Sequence, residues 1–376
     1  MKLQKISFLV LLVATMYACD SQEPHEKGLK DALDGKFYMG AALNNSIVMG
    51  EDTTTLKLVR THFNSVVAEN VMKSGPIHPR EDQYNFEQSD KFVEFGEAND
   101  MYIVGHCLVW HSQAPRWFFT DADGNDVSRD LLIERMKNHI YTVAGRYKGR
   151  IDAWDVVNEA FNDDGSWRNT KFYEIIGEDF IELAFTFANE ADPDAELLYN
   201  DYSMFHKGKH EAAIRIANDL KSKGIRIDGI GMQAHYGMDY PSIEQFEEAI
   251  LAISEAGLDV HITELDIDIL PSPWNQQGAE VSTNFEYEQR MNPYAEGLPD
   301  SVSVALNDRY MDFFNLFLEH HDKIKRVTMW GVTDHDSWKN NWPIRGRTNY
   351  PLLFDRNYQP KPVVHDIMNA AEAITE

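Results

Sequence analysis

The stretch Ile151-Asp152-Ala153-Trp154-Asp155-Val156-Val157-Asn158-Glu159 is mainly apolar and β-branched until its last two residues, an amide and a carboxylate. A run this short and this rich in Val, Ile and Trp reads as a buried strand, and the polar pair marks where it surfaces. Seven more stretches follow the same design: Phe37 to Ala42, Ser65 to Glu69, Tyr102 to His106, Glu196 to Asn200, Gly229 to Gln233, Asp259 to Glu264 and Val327 to Gly331. Between them lie segments of helical period. In Ser128 to Tyr147, Leu132, Met136, Ile140, Val143 and Tyr147 share one face. In Phe180 to Ala191 the stripe is Phe180, Leu183, Ala184, Phe187 and Ala188, and Pro193 stops it. Eight such units in series predict an α/β fold, a closed (β/α)8 TIM barrel forming a single catalytic domain over residues 37–376. A doubly wound open sheet fits less well, because no Gly-rich phosphate loop follows any strand.

The chemistry gathers at the strand ends: Glu69-Asn70, His106, Asn158-Glu159, Asn200-Asp201, Gln233 with His235, Glu264 with Asp266, and Trp330. In a barrel these carboxyl ends open on one face, where active sites of this architecture sit. Glu159 and Glu264 end the fourth and seventh strands, which stand three steps apart around the ring, so their side chains can reach one bond from opposite sides. Paired carboxylates suit glycosidic cleavage, in which one protonates the leaving oxygen while the other attacks or stabilises the oxocarbenium-like carbon. Apolar neighbours and a charged Glu264 are expected to raise the pKa of Glu159 and make it the acid. Donors such as His235 or Asn158 are expected to keep Glu264 ionised. Trp110, Trp330 and Trp338 are read as stacking faces for sugar rings, and Trp154 and Trp117 as core. Glu69, Asn70, Lys73, His106, Asn158 and Gln233 supply donors and acceptors for hydroxyls.

The chain has 376 residues, with 61 acidic against 35 basic side chains and a net charge of −26. That balance argues against nucleic acid as a partner. Lys2 and Lys5 before the apolar run Ile6 to Ala14 resemble an export signal over residues 1–19. Ala18-Cys19 resembles a lipoprotein processing site. Cys19 is therefore the expected lipidation site, residues 20–36 a short tether and lead-in, and the membrane a partner only through that anchor in the bacterial envelope. With only Cys107 left, no internal disulfide can form, and Cys107 is expected to be a buried inert thiol. The long segment Leu270 to Ser303 suggests a flap over the leaving side of the cleft. No cofactor or metal is required by any motif, and a monomer is expected.

Read together, Gly40-Ala41-Ala42, Glu69-Asn70-Val71-Met72-Lys73, His106 to His111, Trp154 to Glu159, Asn200-Asp201-Tyr202, Gly229 to His235, Ile262 to Asp266, Trp330-Gly331 and Ser337-Trp338 resemble glycoside hydrolase family ten, the barrel endo-β-1,4-xylanases. The resemblance runs from about residue 37 to the end. It implies xylan or xylo-oligosaccharides as substrate and a retaining double displacement, with Glu159 as acid/base and Glu264 as nucleophile. It also implies that Glu69, Asn70 and Lys73 hold the sugar two places from the cleaved bond on its non-reducing side. His106, Trp110, Asn158, Gln233, His235, Trp330 and Trp338 would surround the sugar attacked, with His235 bonded to Glu264, and Tyr202 would be a further substrate contact. Retention calls for about 5–5.5 Å between the two carboxyl groups.

Three other readings share parts of this pattern. A barrel endoglucanase or mannanase would use the same two carboxylates. A metal-dependent barrel hydrolase would exploit His106, His111, His235 and His261, but no His-x-His pair opens the first strand, and alternation sends His261 and Thr263 away from the side of Glu264. A non-catalytic polysaccharide-binding protein would have kept the cleft without needing both glutamates.

Overall fold

The computed structural model describes residues 26–272 and 291–374. The leader, Cys19 and residues 273–290 of the long segment lie outside the described residues. The strands are β1 (Tyr38–Leu43), β2 (Ser65–Ala68), β3 (Tyr102–Trp110), β4 (Ala153–Asn158), β5 (Glu196–Asp201), β6 (Gly229–Met232), β7 (His235–Gly237), β8 (Asp259–Asp268) and β9 (Ile324–Met329). Every pairing is parallel, in the order β6-β5-β4-β3-β2-β1-β9-β8-β7. A further β6–β8 pairing closes the ring. The short β7 pairs only with β8 and continues the sixth barrel strand beyond a break at Gln233-Ala234, where Ala234 takes φ 64°. The barrel is thus the expected (β/α)8 type.

Both helices read from periodicity form with their apolar stripes inward. The helix Arg129–Arg146 is capped by Ser128, whose side chain accepts from Leu131 N, and Leu132, Met136, Ile140 and Val143 are buried. The helix Phe180–Ala191 buries Phe180, Ala184, Phe187 and Ala188. One large apolar cluster fills the space between barrel and helices, and a small one of Ala42, Val67, Tyr102, Val104, Ala153, Leu198 and Trp330 is separate from it. Trp154 is fully buried and lies over Gly105 of β3, where an added Cβ would meet its ring at 2.2 Å. That glycine is what lets the indole reach the neighbouring strand.

The lead-in before Phe37 is packed, since Leu29 and Leu33 are fully buried and the short helix Leu29–Ala32 packs on the last helix, Pro362–Ala373. Two local expectations change. Strand β3 runs four residues past His106 and pairs Trp110 with Asn158, with a register shift between His106 and Val109. The long segment ends earlier than expected, since a helix starts at Asp300.

Candidate active site

The carboxyl ends of the strands enclose a cavity of about 270 Å³. Glu159 and Glu264 both line it, along with Glu69, Asn70, Lys73, His106, Trp110, Asn158, Gln233, His235, Trp330 and Trp338. The expected residues thus converge, with one exception. Tyr202 is not among the lining residues. Its hydroxyl accepts from Arg168 Nη2, and Lys209 Nζ lies 3.5 Å from its ring centroid. Gln113, Asn341 and Trp342 line the cavity and were not anticipated; Trp342 stacks on Trp338 at 5.6 Å. Trp117 stays outside, with its indole N–H donating to His78 O at 3.1 Å.

Glu159 begins the turn leaving β4, in the left-handed region at φ 59°. For a glutamate that conformation costs on the order of 1 kcal/mol or more and persists only where neighbours fix it. Here β5 does so: Glu159 N donates to Asn200 O at 2.9 Å, Ala160 N to Tyr199 Oη at 3.0 Å, and Phe161 N to Asp201 Oδ2 at 3.4 Å. The carboxyl is 3% exposed and accepts from Gln233 Nε2 at 3.1 Å. Burial, and then the negative charge of Asp201, raise its pKa to about 7, against the opposing pull of Arg168, Gln233 and Trp110. The anion expected to raise it was Glu264; the structure gives that part to Asp201. Asp201 is itself fully buried and is paired with Lys209 at 2.9 Å.

Glu264 lies in the opposite electrostatic setting. It accepts from Asn200 Nδ2 at 2.8 Å on one oxygen and faces His235 Nε2 at 3.0 Å on the other. Burial alone would raise its pKa, but the His235 bond and the charges of His106, His235 and Lys73 bring it below the ordinary glutamate value. His235 sits between two carboxylates, with Nδ1 3.0 Å from Asp266 Oδ2. Burial would strip its proton, yet Asp266 and Glu264 raise its pKa to about 9. Trp338 Nε1 donates to the same Asp266 oxygen at 2.7 Å, which ties the indole to this relay. The expected His235–Glu264 contact is present. The second donor is Asn200 rather than Asn158, whose side-chain amide packs 3.0 Å from Asn200 Nδ2 and 3.2 Å from Gln233 Nε2. Asn200 thus serves Glu264 and Gln233 serves Glu159, with the Asn158 amide packed between them.

Thr263 is the residue that alternation misplaced. Its hydroxyl donates to Asn200 Oδ1 at 2.7 Å, so Thr263 and Glu264, neighbours in sequence, hold the same amide. A register irregularity against β9 between Ile262 and Leu265 accompanies this departure from strict alternation. Along the rest of the mouth, His106 Nδ1 pairs with Asp155 at 2.8 Å. Asn70 Nδ2 donates to Glu69 at 3.0 Å and Lys73 Nζ to Asn70 Oδ1 at 3.2 Å. Lys73 Nζ also stands 5.0 Å from the Trp110 ring and 5.7 Å from that of Trp330. Cys107 is buried, and burial raises its thiol pKa, as expected of an inert cysteine.

The histidines do not assemble a metal centre at the mouth. Among the described residues, His and carboxylate groups close enough to share an ion are Glu196-Asp259-His261 and Glu247-Glu319-His320. Neither set lines the cavity. In the first, His261 Nδ1 accepts from Arg326 Nε at 3.0 Å, so its proton resides on Nε2, the atom that would have to bind the ion.

A buried pair of glutamates with opposed pKa shifts, on one cavity at the carboxyl end of a parallel barrel, is the arrangement of a two-carboxylate glycosidase. The sequence pattern of Glycosyl hydrolase family 10 matches residues 28–370. The chain belongs to this family. It is 50% identical over 344 residues to endo-1,4-beta-xylanase A of Xylanibacter ruminicola, covering 92% of this chain and 93% of the relative. Endo-1,4-beta-xylanase B of Paenibacillus barcinonensis is 39% identical over 327 residues, 86% of this chain and 92% of the relative. A solved family 10 endoxylanase from a sugarcane soil metagenome superposes with a TM-score of 0.88 at 49% identity, covering 91% of this chain and 99% of that one. The family 10 match begins at residue 28, in keeping with a packed body that starts before Phe37.

Proposed function

We propose that this family 10 chain is an endo-acting hydrolase of xylan that cleaves internal β-1,4-xylosidic bonds with retention. Glu159 protonates the leaving oxygen and Glu264 attacks the anomeric carbon, giving a glycosyl-enzyme. Glu159 then takes a proton from water as that water releases the sugar. The observation carrying this reading is the opposed protonation of two equally buried glutamates on one cavity. One is held neutral up to about pH 7 as an acid must be, and the other negative as a nucleophile must be. Glu69, Asn70 and Lys73 bind the non-reducing side of the chain, and the aromatic walls Trp110, Trp330 and Trp338 border the sugar under attack.

The test is hydrolysis of xylan followed by proton NMR, where the first product appears as the β-anomer. Glu264→Ala is expected to abolish turnover while the folded protein still binds xylo-oligosaccharide. An initial α-anomer, or equal rates on carboxymethylcellulose or mannan, overturns the mechanism or the substrate respectively. We further propose export by the leader and acylation of Cys19, checked by mass spectrometry of the mature amino terminus. No helix among the described residues is long and apolar enough to cross a membrane.

A further inference from the structure

Tyr38 is among the few large apolar side chains exposed on the described surface, and it lies at the pole of the barrel opposite the glutamates. Tyr38 opens β1, Tyr102 opens β3, Asn64 immediately precedes β2, and Lys325 is the second residue of β9. All four therefore lie at amino ends of strands whose carboxyl ends form the catalytic cavity. The Tyr38 ring is 38% exposed and stacks on Tyr102, with centroids 4.7 Å apart and planes at 26°. Tyr102 is itself anchored, donating its hydroxyl to Glu196 Oε2 at 2.7 Å. A ring held this way is pre-organised and loses little freedom when something docks on it.

The ring borders a groove of about 330 Å³ whose polar lining comes from Asp34, Lys36, Asn64 and Lys325. Lys325 is committed to Glu196 and Asp259, and Asn64 Oδ1 accepts from Met39 N at 2.8 Å. Lys36 and Asp34 have no ion-pair partner among the described residues, so a cation and an anion flank the ring with their hydrogen-bonding capacity unspent. One flat apolar face rimmed by mixed donors and acceptors matches a pyranose ring, which offers a CH face and a rim of hydroxyls. It does not match a protein partner, which needs a larger apolar centre. Nor does it suit a polyanion, given a net charge of −26.

We propose that this groove is a second, non-catalytic binding site for the xylan chain, with Tyr38 as its stacking face and Lys36, Asp34 and Asn64 as hydroxyl partners. The inference rests on the xylan reading above. Because the groove and the cavity occupy opposite poles, this site holds the enzyme on a polymer without contacting the bond being cut.

The test combines two readouts. Native electrophoresis through gels containing soluble xylan, in a Glu264→Ala background to stop digestion, measures polymer affinity. Hydrolysis of an aryl xylobioside by the active enzyme measures the cavity alone. Tyr38→Ala is expected to weaken retention about three- to tenfold, the scale of one lost stacking contact, and to leave aryl xylobioside hydrolysis unchanged. Lys36→Ala weakens retention with the tyrosine stack intact, so the test survives if Tyr38→Ala does not fold. Wild-type retention in both variants overturns the site. Equal weakening in a β-glucan gel overturns its assignment to xylan. Failure of the unmodified enzyme to cut xylan is the separate result that defeats the functional reading.

Discussion

Glu159 and Glu264 are 3% and 4% exposed, yet burial prevails at one and is overruled at the other. Around Glu159 the strongest neighbouring charge is the Asp201 carboxylate, which adds to desolvation; Arg168 and two N–H donors oppose it without winning. Around Glu264 the same desolvation meets His235, His106 and Lys73, and the cations prevail. Depth alone does not assign acid and nucleophile; the sign of the nearest buried charge does. Both settings come from β5 and its neighbours. Asn200 points its amide at Glu264 while the next residue, Asp201, works on Glu159.

The largest effect is expected from erasing the cationic side. His235→Asn removes the charge that holds Glu264 ionised and the link to Asp266. It should lower kcat roughly 10²-fold, the scale of losing one pre-organised electrostatic contact. It should also move the acid limb of the pH profile upward, because Glu264 must be deprotonated and its pKa rises. An unmoved acid limb would show that the asymmetry does not reside in His235.

The anionic side is tested by Asp201→Asn combined with Lys209→Met, which avoids stranding a buried ammonium. Glu159 must be protonated to act, so activity fades as pH rises through about 7. Without Asp201 its pKa falls, and the alkaline limb should shift down by about one unit. A limb that stays in place, with Tm unchanged, assigns the shift to desolvation alone.

Stability sharpens the same contrast. The folded pKa of Glu159 lies above its unfolded value, so the native state binds more protons between about 4.5 and 7, and stability declines as pH rises through that window. Glu159→Gln should therefore be more stable than the parent at pH 8.5, by on the order of 3 kcal/mol in urea melts, with the gain vanishing below pH 4.5. Glu264 has the reverse sign. Its folded pKa is lowered, its stabilisation is present above the unfolded value and lost as pH falls through the folded one, so Glu264→Gln should destabilise at neutral pH. Parallel behaviour of the two variants would break the comparison.

What the sequence made legible was whatever depends on pattern along one strand. The Val- and Ile-rich stretches, their polar ends and the helical stripes gave the barrel and its mouth, and Glu159, Glu264, His235 and Gln233 converge there. Relations between strands were harder to read. Asn200 and Asp201 stood at a strand end like many others, and only the side-chain contacts across the barrel show that Asn200 serves Glu264 and Asp201 acts on Glu159. Thr263 was misplaced because a register irregularity breaks alternation. Gln113, Asn341 and Trp342 lie outside the strands, on segments whose path is set by tertiary packing rather than by local period.

Tyr202 gives the smallest and most discriminating effect. The motif Asn200-Asp201-Tyr202 marked it as a substrate contact, but the structure pairs its hydroxyl with Arg168 and covers its ring with Lys209, away from the cavity lining. A binding residue and a residue that restrains Arg168 respond differently to loss of the hydroxyl. If Tyr202 touched sugar, Tyr202→Phe would raise KM with kcat unchanged. If it restrains Arg168, the released guanidinium bears more fully on Glu159, whose pKa it already lowers. Tyr202→Phe is then expected to leave KM within about twofold and to move the alkaline limb down by less than about one unit. A raised KM with an unmoved limb would return Tyr202 to the substrate site.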